Sequence, residues 1–208
     1  MHQAVSDRLA RQLQFVRELD KLKGVQRRTS LIDRSRRENS AEHSWHLATM
    51  ALALGEYAPP GTDLTHAIEL LLVHDVVEID ADDTFAFDVA GNVDKAARET
   101  AAADRLFGLL PEDIGRRFRA LWDEFEAGET REARFANALD RFQALVQNDA
   151  AGDGGTWYAH GVTRDAVLQR MAPIEIGAPD LWPAALDAIA RAARAGHVRE
   201  DPRGAGFP

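Results

Sequence analysis

Apolar residues recur every three to four positions along nearly the whole chain, the period of an amphipathic helix. Val5, Leu9, Leu13, Val16 and Leu19 mark one face of a first helix. A second is predicted after Asn39 or Ser40, either of which can cap it. Its apolar face runs through His43, Leu47, Met50, Ala51 and Leu54, and Pro59, Pro60 and Gly61 end it. Asp63 caps a third, which continues through AIELLLVHDVVEI. Residues 93–109 form the next. Pro111 then sits in the first turn of a helix striped by Ile114, Phe118, Leu121 and Phe125 and closed by Gly128. Thr130 opens a helix that turns Phe135, Leu139, Phe142 and Val146 inward. Thr163 starts a short one, and residues 182–195 form the last, capped by Gly196. Residues 29–39, ADDTFAFDVAGN and AAGDGGT lack a period and read as loops. Strand signals are nearly absent, so the expected fold class is all-α, a single bundle of about seven or eight helices. It would occupy residues 1–200, with its centre at about 15–150, further helices at 163–196, and a flexible tail at 201–208.

The chain has 208 residues, 45% hydrophobic and 28% charged, with no cysteine. A chain of this size buries enough surface to fold without disulfides or a structural metal. The missing thiols also exclude thiolate zinc sites and cysteine nucleophiles, so any metal site must be built from His, Asp and Glu. No apolar run approaches the ~20 residues that cross a bilayer. The N-terminus has an acid and spaced polar residues where a signal peptide has an apolar block, so a cytoplasmic protein is expected. The net charge of −9 argues against a general nucleic-acid binder. Residues 1–50 nevertheless hold ten Lys or Arg against six Asp or Glu, and Arg27, Arg28, Arg34, Arg36 and Arg37 fall within eleven positions. A local basic patch on an acidic protein suits a small anion better than a polymer of phosphates.

His74-Asp75 breaks the helical pattern most sharply, because Leu70, Leu71, Leu72 and Val73 precede it and Val76 and Val77 follow. A helix apolar all round is buried, and a buried carboxylate is costly unless something compensates it. An Asp–Arg pair or an interior His–Asp hydrogen bond would suffice. His43 projects from the apolar face of its own helix, and Asp140 lies at the edge of an apolar stripe in ANALDRFQALV. Two imidazoles and two carboxylates on three core helices suit a borderline divalent ion such as Mn, Fe, Co, Ni or Zn, and make a poor cage for Mg or Ca. Spacing alone leaves the metal and the ordinary buried-pair readings both open.

The order His43, His74-Asp75, Asp140 resembles the H…HD…D signature of the HD-domain metal phosphohydrolases. RENSAEHSWHLA resembles the R-x-E-N-x-x-E-H-S segment of the bacterial 5'-deoxynucleotidases and their HD-domain relatives, and VHDVVEIDADDTF resembles their H-D-x-x-E-x-x-x-G-D segment. The similarity runs from roughly residue 15 to 146. It implies an HD fold with one divalent cation on His43, His74, Asp75 and Asp140. It also implies catalytic roles for Glu78, which would position or deprotonate water or protonate the leaving oxygen, and for Asp83, near the sugar and leaving group. A second, Mg-type cation near Glu78 and Asp83 occurs in some relatives. As His74 and Glu78 are four apart, one helical face would present both. Arg28, fifteen residues before His43, corresponds to an arginine whose fork would grip the phosphate.

Two positions depart from the family. Asp82 replaces the glycine before the second aspartate, where it would weaken phosphate binding, recruit a cation or point outward. Thr29 follows Arg28 where deoxynucleotidases have an aromatic near the sugar, which removes one reason for strict deoxyribose preference. Arg34, Arg36 and Arg37 are expected to be solvated or paired with acids such as Asp33 and Glu38. Glu42 is expected to support its helix N-terminus, His46 to pack or sit on a rim, and His66, His160 and His197 to be ordinary. Trp45, Trp122, Trp157 and Trp182 read as core or interface.

The resulting expectation is a metal-dependent phosphomonoesterase that cleaves (deoxy)nucleoside 5'-monophosphates, with a small phosphate monoester as partner and neither nucleic acid nor membrane. A phosphodiesterase or alarmone hydrolase of the same fold, and a non-catalytic metal- or nucleotide-binding module, are the alternatives. The absence of histidine between Asp75 and Asp140 counts against binuclear phosphodiesterases and di-iron oxygenases. A homodimer is expected, with the Ala-rich helix at 184–195 as its self-complementary face.

Overall fold

The computed structural model describes residues 6–88 and 91–200. Val5 and the tail at 201–208 lie outside the described residues. Helix α1 (Asp7–Leu19) is followed by strands β1 (Gln26–Ser30) and β2 (Arg37–Asn39), then α2 (Ser40–Ala53) and α3 (Leu64–Val73). A 3-10 turn at His74–Val77 leads into the short α4 (Glu78–Ala81). Next come α5 (Lys95–Gly108), α6 (Glu112–Ala127) and the long α7 (Arg131–Ala151). Short α8 (Thr156–Ala159), α9 (Arg164–Met171), α10 (Pro173–Gly177) and α11 (Trp182–Arg194) complete the order. The fold is all-helical apart from one small hairpin, and one apolar core extends from Phe15 to Val198. No helix among the described residues is long and apolar enough to cross a membrane.

Local chemistry sets the helix starts. Asn39 accepts from the Glu42 amide at 2.9 Å while the Glu42 carboxylate takes the Asn39 amide at 3.3 Å, a reciprocal cap that fixes the first turn of α2. Asp63 caps α3, and Thr130 caps α7 just after Gly128, whose φ of 62° closes α6.

Five expectations are corrected. The first is the loop at 29–39, which contains β2 and the end of β1, paired antiparallel through Gln26↔Asn39 and Ser30↔Arg37. Its inward positions are Arg27 and Glu38, so no apolar alternation announces it. The second is the face of α1. Leu9, Leu13 and Val16 are exposed, and the helix instead buries Phe15, edge-on to Phe118 at 5.3 Å. Arg11 helps to fix that rotation by donating to the Gly108 and Leu109 carbonyls at the C-terminal end of α5. The third is Val146, which is exposed because the inward positions of α7 past Asp140 are Gln143, Leu145, Gln147, Asn148 and Ala151. The fourth is the alanine face of α11. Ala185, Ala188, Ile189 and Ala192 are buried within the chain, so that face is not free to pair with a second copy.

The predicted continuous helix through AIELLLVHDVVEI also breaks at His74. Its Nδ1 donates to the Leu71 carbonyl at 2.8 Å, an acceptor that a continuing α-helix would give to the Asp75 amide. The chain tightens into the 3-10 turn, where side chains three apart eclipse. Asp75 and Glu78 therefore share a face, in place of the His74–Glu78 pairing that an α-helix would give.

Candidate metal centre

His43 enters from the first turn of α2, His74 and Asp75 from the 3-10 turn, and Asp140 from the middle of α7; all four are buried. One donor atom each from His43, His74 and Asp75 lies within 4.8 Å of the others. His43 Nε2 is 3.0 Å from Asp140 Oδ1 and 3.8 Å from Asp75 Oδ2. The second oxygen of Asp140 faces Arg141, so its carboxylate is shared between the centre and that guanidinium.

The donor set fits a divalent ion. With His74 Nδ1 bound to a backbone carbonyl, its buried Nε2 presents a lone pair inward, 3.0 Å from Asp75 Oδ1, a contact between two acceptors that a cation between them would relieve. His43 is held comparably from behind. Glu38 Oε2 stands 3.6 Å from His43 Nδ1, and its Oε1 accepts from Gln143 at 2.8 Å and Gln147 at 2.9 Å. A carboxylate behind a ligating imidazole fixes the ring and favours a lone pair on the opposite nitrogen. Burial and the Arg27 charge push His43 toward neutrality, but Asp140, Glu38 and Asp75 outweigh them and raise its pKa to about 9. That imbalance marks a site dense in negative charge, suited to a cation.

Glu78 is buried and takes a 2.5 Å hydrogen bond from the Ser40 hydroxyl. Burial, then the neighbouring Asp75 charge, pushes its carboxyl well above the usual range. Asp83 is raised by burial. Both line a cavity of about 260 Å³ together with His74, Asp75 and Asp140. Asp82, between them and just before Asp83, has φ 59° and ψ 157°, a conformation open essentially to glycine alone, and its side chain is exposed. Of the three outcomes named for that departure, the outward one is found.

The strand pleat separates the two adjacent arginines. Arg27 turns inward, 3.2 Å from Asp75 Oδ2 and 3.5 Å from Glu38 Oε2. Arg28 is exposed and stands at the rim, lining both this cavity and a larger adjoining hollow of about 980 Å³. Sequence reasoning assigned nothing to Arg27 and gave Glu38 a surface pairing. The signal for Glu38 was its place in the E-N segment; for Arg27 the pleat register was needed. Arg36 instead forks onto Glu42 at 2.7 and 2.8 Å, and Arg34 pairs Asp153 at 2.9 Å. Glu42 keeps its helix-capping role. His46 is not among the converging donors, lying 3.3 Å from Gln143 on the half-exposed side. His160, expected to be ordinary, packs on Phe85 with ring centroids 4.6 Å apart and lines the larger hollow.

The HD-domain family model matches residues 19–182. The chain belongs to the HD-domain family. Over 137 residues it is 31% identical to the human protein named 5'-deoxynucleotidase HDDC2 and 34% identical to its Xenopus laevis counterpart. Each alignment covers 65% of this chain; it covers 65% of the human protein and 66% of the Xenopus one. A crystal structure described as a predicted metal-dependent phosphohydrolase from Magnetospirillum magnetotacticum superposes with a TM-score of 0.88 at 51% identity, covering 92% of this chain and 95% of that one. A Pyrococcus furiosus protein shares the fold at 18% identity and a TM-score of 0.60.

Proposed function

We propose that this HD-domain protein is a divalent-metal-dependent phosphohydrolase that converts (deoxy)nucleoside 5'-monophosphates to nucleoside and inorganic phosphate. The observation behind this reading is the convergence of His43, His74 and Asp75, with His74 Nε2 turned toward Asp75 Oδ1 at 3.0 Å, beside a buried Glu78 whose carboxyl burial pushes well above the usual range. The names of the human, frog and bacterial relatives support it. His43, His74, Asp75 and Asp140 would hold a transition-metal ion of the Mn, Fe, Co, Ni or Zn class. When bound, that ion supplies Lewis-acid polarisation of the phosphoryl group and a more acidic water. In hydrolysis, water oxygen bonds to phosphorus as the ester P–O bond breaks, and the departing alkoxide needs a proton. Glu78, oriented by Ser40, is placed to supply it. Asp83 would hold the sugar side, with or without a second, Mg-type cation between it and Glu78, and Arg28 at the rim would meet the anionic substrate as it enters.

The leaving nucleoside has a suitable wall. Phe85 and Phe87, with ring centroids 5.5 Å apart, line both the metal-centre cavity and the adjoining hollow, and they supply the aromatic surface that Thr29 lacks. A cytoplasmic homodimer is the proposed setting. The exposed stripe of Leu9, Leu13 and Val16 on α1 supports self-association, and the solution mass by light scattering tests it.

The test of the activity is phosphate release from a panel of ribo- and deoxyribonucleoside 5'-monophosphates by protein stripped of metal and reloaded separately with Mn, Co, Mg and Zn. Turnover restored by a transition metal is expected, with the ribo/deoxy ratio reporting the effect of Thr29. No release with any metal would overturn the monophosphatase reading.

A further inference from the structure

Five cations line the cavity beside the metal centre; Arg28 has a place in the proposed chemistry, Arg27 is paired with Asp75 and Glu38, Lys95 with Glu99, and two remain without a role. Arg141 follows Asp140 on α7, and Arg170 comes from the last turn of α9. Both line the cavity with His74, Asp75, Glu78 and Asp83. The arginines elsewhere on this chain are mostly spoken for, with Arg8 on Asp113, Arg36 on Glu42, Arg105 on Asp80 and Arg119 on Asp123. Arg170 differs. Among the described residues it has no hydrogen-bond or ion-pair partner, although it is half-buried and lines the cavity. Arg141 gives one terminal nitrogen to Asp140, but its Nε is buried and has no partner.

Their surroundings make this arrangement costly for the empty chain. Burial first, and then repulsion from Arg141, lowers the Arg170 pKa to about 10, with Arg27 adding to the repulsion; Asp140 and Asp83 oppose it without closing to an ion pair. Arg27 is engaged by Asp75 and Glu38, and Arg28 faces outward on the strand. Arg27 Nε makes no hydrogen bond either, but it faces the Glu38 carboxylate at 3.5 Å; the remaining donors of the cavity's inner arginines are the Arg170 guanidinium and Arg141 Nε. A tetrahedral dianion satisfies such donors well, because a planar fork engages two of its oxygens together.

We infer that Arg170, with Arg141 Nε, binds the non-bridging oxygens of the substrate's phosphoryl group, so that α9 completes a site whose metal ligands all lie earlier in the chain. This rests on the phosphohydrolase reading and deepens it. Arg170 becomes the main phosphate-binding side chain, and Arg28 a contributor at the entrance.

The probe is inorganic phosphate, titrated calorimetrically into the Mn-loaded wild type, Arg170→Met, Arg170→Lys and Arg28→Ala, with bound metal and the thermal melt measured on each. Loss of a charge-assisted fork predicts phosphate binding weakened about ten- to a hundredfold in Arg170→Met. Arg170→Lys should be intermediate, since a point charge cannot bridge two oxygens, and Arg28→Ala should lose less than Arg170→Met. Metal stoichiometry should be unchanged. If Arg170→Met does not fold, Arg170→Lys decides, and wild-type phosphate affinity in it would overturn the inference. Wild-type affinity in a folded, metal-loaded Arg170→Met, or no phosphate binding by the wild type, would also overturn it. Phosphate bound through Arg170 without hydrolysis of any nucleotide would leave this anion site standing and remove the monophosphatase reading. Nucleotide turnover indifferent to Arg170 would do the reverse.

Discussion

Asp82 holds φ 59° and ψ 157° at the turn that carries the chain from Glu78 to Asp83. A side chain in that region costs about 1–3 kcal/mol, because Cβ meets the flanking peptide groups. Replacing it with glycine removes the strain but frees the unfolded chain, which costs back about 0.5–1 kcal/mol. The net gain for Asp82→Gly is on the order of 1 kcal/mol, which for a chain of this length raises the melting temperature by about 2–4 °C. Removing one negative charge beside Asp80 and Asp83 acts in the same direction, so the control is Asp82→Ala, which removes the charge and keeps Cβ. Scanning calorimetry of the metal-free protein should show a gain for glycine and little for alanine. Because the Asp82 side chain is exposed, kcat/KM should stay within about twofold, less than a 1.4 kcal/mol change in the barrier. Equal shifts for glycine and alanine would assign the effect to charge. A lower melting temperature for glycine would refute the strained-turn reasoning altogether.

Other perturbations test other parts of the structure. Glu38→Gln should keep the fold but weaken metal binding about 10–100-fold, as loss of a carboxylate behind a ligating imidazole does; equilibrium dialysis measures it, and wild-type affinity would remove Glu38 from the site. Gly177 packs so closely on α7 that a Cβ would come within 2.0 Å of the Arg134 carbonyl, so Gly177→Ala should lower stability by about 1–3 kcal/mol in urea unfolding. His66 on α3 responds to pH. Burial opposes its charge, but Glu124 at 2.8 Å, with Glu69 and Glu132, outweighs burial and raises its pKa. Its stabilisation is complete below the ordinary histidine value of about 6.5 and is lost as pH rises through the raised value. His66→Gln should therefore flatten the fall in stability above about pH 6.5, and an unchanged stability–pH curve would contradict the assignment.

What was legible in the sequence was mostly local. Asn39 with Glu42, Asp63, Thr130 and Gly128 act within one turn of themselves, so the helix ends could be placed from residue type. His43, His74, Asp75 and Asp140 stood out because polar groups on apolar faces need a partner, and the structure brings them together. The hairpin was hidden because its inward residues, Arg27 and Glu38, are charged and satisfied across space, which no local alternation reveals. Arg28 was named from its spacing before His43, which carries no information on the pleat that turns Arg27 inward and leaves Arg28 exposed. The 3-10 break at His74 follows from one ring nitrogen taking the Leu71 carbonyl, a tertiary choice that periodicity does not encode. Likewise the apolar stripe of α1 did not show which side packs inward, which is set by contacts across space: Arg8 on Asp113, Arg11 on the Gly108 and Leu109 carbonyls, Glu18 on Arg105 and Phe15 on Phe118.

The account depends most on the metal centre, and the most direct test is the rate of phosphate release from 2'-deoxyadenosine 5'-monophosphate by the metal-stripped chain, the cobalt-reloaded chain and cobalt-treated Asp75→Ala, with bound metal counted in each. The account predicts that turnover and about one ion per chain return together on reloading, and that both are absent in an Asp75→Ala protein that still melts cooperatively. Turnover by the stripped chain, or a full complement of metal in Asp75→Ala, would contradict it.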